Sequence, residues 1–176
     1  MTKEELGREI FNVSHLTGTF VLRSGKVSNE YFDKYLFESN PLLLEEIANH
    51  LVHLLPANFD ILAGLEMGGI PLAVALSIKT SKPVVFVRKK AKEYGTNKIA
   101  EGIDITGKKL VVVEDVITSG GQVVLSSKDL LGFNAEIMKA ICVIDRESGG
   151  KENLRTEGIE LSSLFTMSEL KKIVSK

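Results

Sequence analysis

The sequence predicts an α/β fold, a parallel sheet flanked by helices, and three observations carry that expectation. Helix-like and strand-like runs alternate from about residue 40 onward. The strand-like run that includes Val111–Val113 is short and apolar, as strands buried on both faces are. Glycine-rich joints stand between a strand and the helix after it, where open α/β sheets place their ligands. A chain of 176 residues suits one domain, since domains commonly run to roughly 100–200 residues, so residues 1–176 are expected to form a single domain.

Taken in order, Glu4 to Asn12 is expected to be helical, and Phe20-Val21-Leu22-Arg23 before Ser24-Gly25 reads as a strand entering a turn. Asn40 before Pro41 supplies a cap acceptor and a first-turn proline, and Leu42, Leu43, Leu44, Ile47, Leu51 and Leu54 give that helix an apolar face. A strand at Asp60–Gly64, a loop through Gly69, a helix from Ile70 to about Lys79 and a strand at Pro83–Val87 make one βαβ unit. The second unit begins at Lys109, continues through a helix ending near Gly132 and returns as the strand Glu136–Ile144. Ile159 to Phe165 alternates as a final strand, and Thr166 with Glu169 has capping-box spacing before an amphipathic helix. Periodicity leaves the order of strands in the sheet open.

Composition narrows the function classes. A hydrophobic fraction of 44%, a charged fraction of 26% and a net charge of −1 describe an ordinary globular chain and argue against a general binder of nucleic acid. The N-terminus has no apolar core of signal-peptide type, and no apolar run approaches the roughly 20 residues that span a bilayer, so a cytoplasmic protein without a membrane partner is expected. The single cysteine, Cys142, lies in the apolar run Ala140–Ile144, where a buried inert thiol is expected. His50 and His53 stand at i,i+3 with no third ligand at recognisable spacing, so neither is assigned to a metal.

The most informative stretch is Val111-Val112-Val113-Glu114-Asp115-Val116-Ile117-Thr118-Ser119-Gly120-Gly121. An apolar strand delivers two carboxylates into a small, glycine-rich turn before a helix. Backbone N–H groups, the helix N-terminus and the hydroxyls of Thr118 and Ser119 suit a phosphate. Glu114 and Asp115 would repel that anion and must face hydroxyls or a cation instead. A sugar phosphate satisfies both halves. Residues 88–102, from Arg88-Lys89-Lys90 through Lys92 and Tyr94 to Gly102, form a long polar loop concentrating cations, suited to closing over a multiply charged ligand. Gly64–Pro71 is a second glycine-rich joint, Tyr31 and Phe32 form a candidate wall for a flat ring near Arg23, and Arg146 follows an apolar strand with a fork suited to a carboxylate.

Together these segments resemble the orotate phosphoribosyltransferases, over about residues 18–165. The stretch Gly18-x-Phe20-x-Leu22-Arg23-Ser24-Gly25 with Ser28 and Tyr31 resembles that family's N-terminal signature, Arg88-Lys89-x-Ala91-Lys92 its catalytic loop, and the acidic string its binding motif for phosphoribosyl diphosphate (PRPP). The resemblance implies the type I phosphoribosyltransferase fold, with a small N-terminal hood and a mobile basic loop at 88–102 that reaches the partner's site in a homodimer. It implies PRPP contacts from Arg88, Lys89 and Lys92, with Arg23 where a lysine is usual, and a ribose-phosphate site of Glu114, Asp115, Val116, Ile117, Thr118, Ser119, Gly120, Gly121 and Gln122. Orotate contacts would be Thr118 and Arg146, with the ring near Tyr31 and Phe32. Lys92, Arg88 and Asp115 would be the catalytic groups. Tyr94 stands where many members carry histidine, Gly68 where some carry a lysine to the diphosphate, and Glu114 where many carry aspartate.

The implied reaction joins orotate to ribose 5-phosphate from PRPP, giving orotidine 5′-monophosphate and diphosphate with inversion at the anomeric carbon, a step of UMP biosynthesis. Mg²⁺ would travel on PRPP and diphosphate rather than in a protein metal site. The alternatives are transfer to another base, or a non-catalytic PRPP- or nucleotide-sensing regulator with the same fold.

Overall fold

The computed structural model describes residues 1–21, 25–90 and 99–176. Helix α1 (Lys3–Ser14) leads into the strands β1 (His15–Val21) and β2 (Val27–Phe32), then α2 (Tyr35–Glu38) and α3 (Pro41–Leu51). The first βαβ unit is β3 (Ile61–Leu65), α4 (Gly69–Thr80) and β4 (Val84–Val87), followed by the two-residue β5 (Ala100–Glu101). The second is β6 (Lys109–Ile117), α5 (Gly121–Leu131) and β7 (Glu136–Asp145); α6 (Gly150–Thr156), β8 (Leu161–Thr166) and α7 (Met167–Val174) complete the described chain.

The main sheet has the order β5-β4-β3-β6-β7-β8, parallel except for β5. The chain runs outward from β3 to β4, then returns to the other side of β3 as β6. The carboxyl ends of β3 and β6 therefore flank a topological switch point, where open α/β sheets form a ligand crevice. Side-chain alternation along β6 feeds two cores. Val111 and Val113 pack with α1, α3, α4 and α7, while Leu110 and Val112 pack with α5 and α6. Burial on both faces explains the unbroken apolar run.

Caps set several helix starts. The Asn40 side chain accepts from the N–H groups of Leu42 and Leu43 with Pro41 in the first turn, and Thr166 with Glu169 forms the expected capping box. A second capping box, Thr2 with Glu5, opens α1. In α3, Leu43, Ile47 and Leu51 are buried, but Leu42 faces solvent.

The N-terminal region departs most from expectation. β1 begins at His15 rather than Phe20 and pairs antiparallel with β2 in a separate two-stranded sheet. The polar sequence of β2 hid it from apolar periodicity. Residues 88–102 are also not wholly loop: β5 lies within them, its Ala100 and Glu101 pairing antiparallel with Val87 and Phe86.

Candidate active site

The carboxyl ends of β4, β3, β6 and β7 place the expected site residues along one edge. Arg88 follows β4, Gly68 and Gly69 follow β3, Thr118 to Gln122 follow β6, and Arg146 follows β7. Parallel register pairs Ile117 with Asp145, so Thr118 and Arg146 emerge side by side. The Arg146 N–H donates to the Ile117 carbonyl at 2.8 Å, tying the two turns together.

The turn after β6 forms a cradle of about 170 Å³ lined by Glu114 and residues 116–123. Gly120, at φ 73°, caps α5 in the left-handed region, where a side chain is strained, and no side chain among the described residues caps the first N–H groups of α5. Those donors and the positive end of the helix dipole open onto the cradle, with Thr118 and Ser119 exposed beside them. Helix α6 braces the turn from behind: the Asn153 amide donates to the Ser119 carbonyl at 2.8 Å, and a Cβ on Gly150 would stand 2.5 Å from the Thr118 carbonyl.

The acidic pair divides. Successive β residues point to opposite faces, and Glu114 lines the cradle whereas Asp115 is wholly buried beneath it. The Asp115 N–H donates to Glu114 Oε1 at 3.1 Å, and Asp115 Oδ1 accepts the Val116 N–H. Asp115 Oδ2 lies 2.5 Å from the Lys34 ammonium, and Glu38 approaches the same carboxylate. Burial pushes the Glu114 carboxyl well above the usual range, and the Asp115 charge adds to it. Burial acts on Asp115 in the same direction, but hydrogen bonding from Glu114 and Glu38 and the Lys34 cation outweigh it and hold its pKa low. On Lys34, burial disfavours the charge, yet contact with Asp115 prevails and raises its pKa.

The second glycine joint serves close packing. A Cβ on Gly69 would stand 2.1 Å from the Val113 carbonyl, and one on Gly68 would stand 1.6 Å from Asp115 Oδ2. Beyond β4, the Lys89 N–H donates to Glu66 Oε1 at 2.6 Å, which joins the start of the basic segment to this same joint. Arg88 Nε is buried and meets no hydrogen-bond acceptor among the described residues. Arg23, Lys92 and Tyr94 lie outside the described residues.

Tyr31 and Phe32 line a pocket of about 280 Å³ that Arg146 enters from the β7 side. Phe32 packs against Phe11 with ring centroids 6.2 Å apart, and Tyr31 against Phe20 at 5.5 Å. His15 and Glu30 meet at 2.6 Å on its wall, and Lys171 of α7 lines it too. Sequence reasoning missed His15, Glu30 and Lys171 because only hairpin register and the packing of α7 bring them there. Lys34 and Glu38 were also missed, because the four-residue α2 is too short to show a helical period.

The donor set bears on Mg²⁺. Both Asp115 oxygens face cationic or N–H partners, leaving Glu114 as the one carboxylate at the cradle among the described residues. Such a site suits an ion that arrives on its phosphate ligand, because hard cations need several oxygens.

Comparison with known proteins agrees with this geometry. The phosphoribosyl transferase domain family matches residues 37–163. An orotate phosphoribosyltransferase from Nocardioides sp. is 47% identical over 165 residues, covering 94% of this chain and 92% of that protein. One from Pyrococcus horikoshii is 43% identical over 174 residues, covering 97% and 94%. The crystal structure of Mycobacterium tuberculosis orotate phosphoribosyltransferase in complex with Fe(III) dicitrate superposes with a TM-score of 0.85 at 25% identity, covering 96% of this chain and 98% of that one.

Proposed function

The chain belongs to the orotate phosphoribosyltransferase family, and from that premise we propose how its residues divide the transfer of ribose 5-phosphate from PRPP to orotate. The observation that carries the proposal is the cradle at the uncapped N-terminus of α5, with Glu114 on its wall and Arg146 beside it across the β6–β7 register. A phosphate and a carboxylate-bearing ring thus receive separate, adjacent sites. The α5 N-terminus with Thr118, Ser119, Gly120, Gly121 and Gln122 holds the 5′-phosphate, and Glu114 accepts from the ribose hydroxyls with Asp115 behind it. Arg146 takes the orotate carboxylate, Tyr31 and Phe32 flank the ring, and Arg23 contributes positive charge to substrate binding.

Transfer breaks the anomeric C–O bond to diphosphate and forms the bond from carbon to the orotate ring nitrogen on the opposite face. Positive charge developing on the ribose ring is stabilised by the neighbouring carboxylates, and negative charge on the leaving group by cations. Arg88, Lys89 and Lys92 supply those cations, and the buried Arg88 Nε, without an acceptor among the described residues, supports that role for Arg88. Mg²⁺ accompanies PRPP and diphosphate as part of the substrate and neutralises diphosphate charge. Orotate carries anionic character of its own, so orientation and exclusion of water weigh more than a general base. Tyr94 acts as a hydrogen-bond donor, since phenols titrate near pKa ~10.

Residues 1–176 work as one phosphoribosyltransferase domain in a cytoplasmic homodimer, with the segment 88–102 shared between subunits. Exposed apolar side chains on the first βαβ unit, Met67, Ile78 and Phe86, support a partner surface there. No helix among the described residues is long and apolar enough to cross a membrane. The test of the basic segment is orotate-dependent diphosphate release by wild type and Lys92→Ala. A fall of at least about 100-fold in kcat, the scale of one lost transition-state donor, is expected; wild-type rates in Lys92→Ala would refute the assignment.

A further inference from the structure

Lys34 and Glu38 close on the acidic pair from below. Lys34 caps the start of α2 and Glu38 is its last residue, one turn apart, and Phe37 between them is wholly buried, fixing the helix against the core. Lys34 Nζ lies 2.5 Å from Asp115 Oδ2. Glu38 is 7% exposed, and both its Oε1 and Asp115 Oδ2 crowd the point that a Gly68 Cβ would fill, at 2.7 and 1.6 Å. Glu38 Oε1 meets no hydrogen-bond donor among the described residues, and the one cation at Asp115 Oδ2 among them is the Lys34 ammonium. Two buried carboxyl groups facing one another in this way do not both ionise; a shared proton converts repulsion into a hydrogen bond.

We propose that Lys34 and Glu38 are positioning residues for PRPP binding: Lys34 keeps Asp115 ionised and turned inward, and Glu38 donates its carboxyl proton to Asp115, so that Glu114 is presented to the ribose. The inference rests on the ribose role given to the acidic pair above. The groups facing Glu38 are Asp115 from β6, Lys34 and Asp33 from its own segment, and the Gly68 backbone. Burial pushes the Glu38 carboxyl up to about 9, Asp115 adds to the rise and Lys34 opposes it. The same arrangement accounts for Gly68. A lysine at that position would need the space that Asp115 and Glu38 occupy, and the cation over Asp115 comes from α2 instead.

The test is PRPP binding by calorimetry, together with KM for PRPP and kcat, across neutral to alkaline pH for wild type, Glu38→Gln, Glu38→Ala and Lys34→Met. An amide donates to Asp115 at every pH, so Glu38→Gln should keep wild-type affinity near neutrality and lose the alkaline weakening that wild type shows. Glu38→Ala and Lys34→Met should each raise KM for PRPP about 10-fold, the scale of one lost charge-assisted hydrogen bond, with KM for orotate within about 2-fold. An alkaline limb unchanged in Glu38→Gln overturns the inference even where Glu38→Ala does not fold, as does wild-type PRPP affinity in folded Glu38→Ala. A wild type that binds no PRPP overturns the ribose role and this inference with it, whereas wild-type binding untouched by the variants overturns this inference alone.

Discussion

Gly68→Ala adds one methyl group at the most crowded point of the crevice. Gly68 has φ −72° and ψ −27°, a conformation any residue adopts, so the backbone itself does not resist alanine. Space does. The new Cβ would stand 1.6 Å from Asp115 Oδ2, 2.4 Å from its Cγ and 2.7 Å from Glu38 Oε1, far inside van der Waals contact at about 3.5–4 Å. Asp115 has little freedom to retreat, since Oδ1 accepts the Val116 N–H and Oδ2 faces Lys34. Overpacking of this kind costs about 1–3 kcal/mol, and displacing Asp115 from the half-buried Lys34 puts the cost at the upper end of that range. A cost of about 3 kcal/mol lowers Tm by roughly 6–12 °C in a chain of this size. Thermal unfolding with and without PRPP is the assay, read beside KM for PRPP. The expected result is that drop together with weaker PRPP binding. Gly68→Lys should be worse than Gly68→Ala. A Gly68→Ala protein with wild-type Tm and KM, or a Gly68→Lys protein with tighter PRPP binding, would refute the packing argument.

Three further outcomes follow from the geometry. The folded-state pKa of Glu38 lies above its unfolded value, so its contribution to stability is complete below about pH 4.5 and is lost as pH rises toward about 9; wild-type Tm should fall across that window, and Glu38→Gln should flatten the fall. Gly150→Ala places a Cβ 2.5 Å from the Thr118 carbonyl and 2.6 Å from Ile117 Cγ2, so it should distort the cradle from behind and raise KM for PRPP about 10-fold, with a loss of about 1–3 kcal/mol in stability by thermal unfolding. Arg146→Ala removes an exposed fork worth about 1.5–3 kcal/mol to a bound carboxylate, so KM for orotate should rise roughly 10–150-fold while Tm stays within about 2 °C of wild type.

What the sequence made legible was local. The βαβ units, the acidic strand with its turn, the Asn40-Pro41 start and the Thr166–Glu169 capping box each depend on a few consecutive residues, and each stands where expected. The strand order was not legible, because parallel pairing joins segments far apart: Gly64 lies opposite Val113, and Glu114 opposite Cys142. β2 is polar and α2 too short for a helical period, so both escaped notice, and with α2 went Lys34 and Glu38. The acidic pair was found, but its division into a cradle-facing Glu114 and a buried Asp115 needed the α2 contacts. Cys142 is buried, and burial raises its thiol pKa well above the usual range, as the apolar run around it implied. The aromatic pair lay in plain view, yet the His15–Glu30 contact on the same pocket wall depends on the β1–β2 register.

The most direct measurement of the central claim is product identification by mass spectrometry after incubation of the protein with PRPP, Mg²⁺ and an equimolar panel of orotate, uracil, adenine and hypoxanthine. The account expects orotidine 5′-monophosphate and diphosphate in equal amounts, with the other bases unchanged. Turnover of another base while orotate is left intact, or tight PRPP binding with no nucleotide formed from any base, would contradict it.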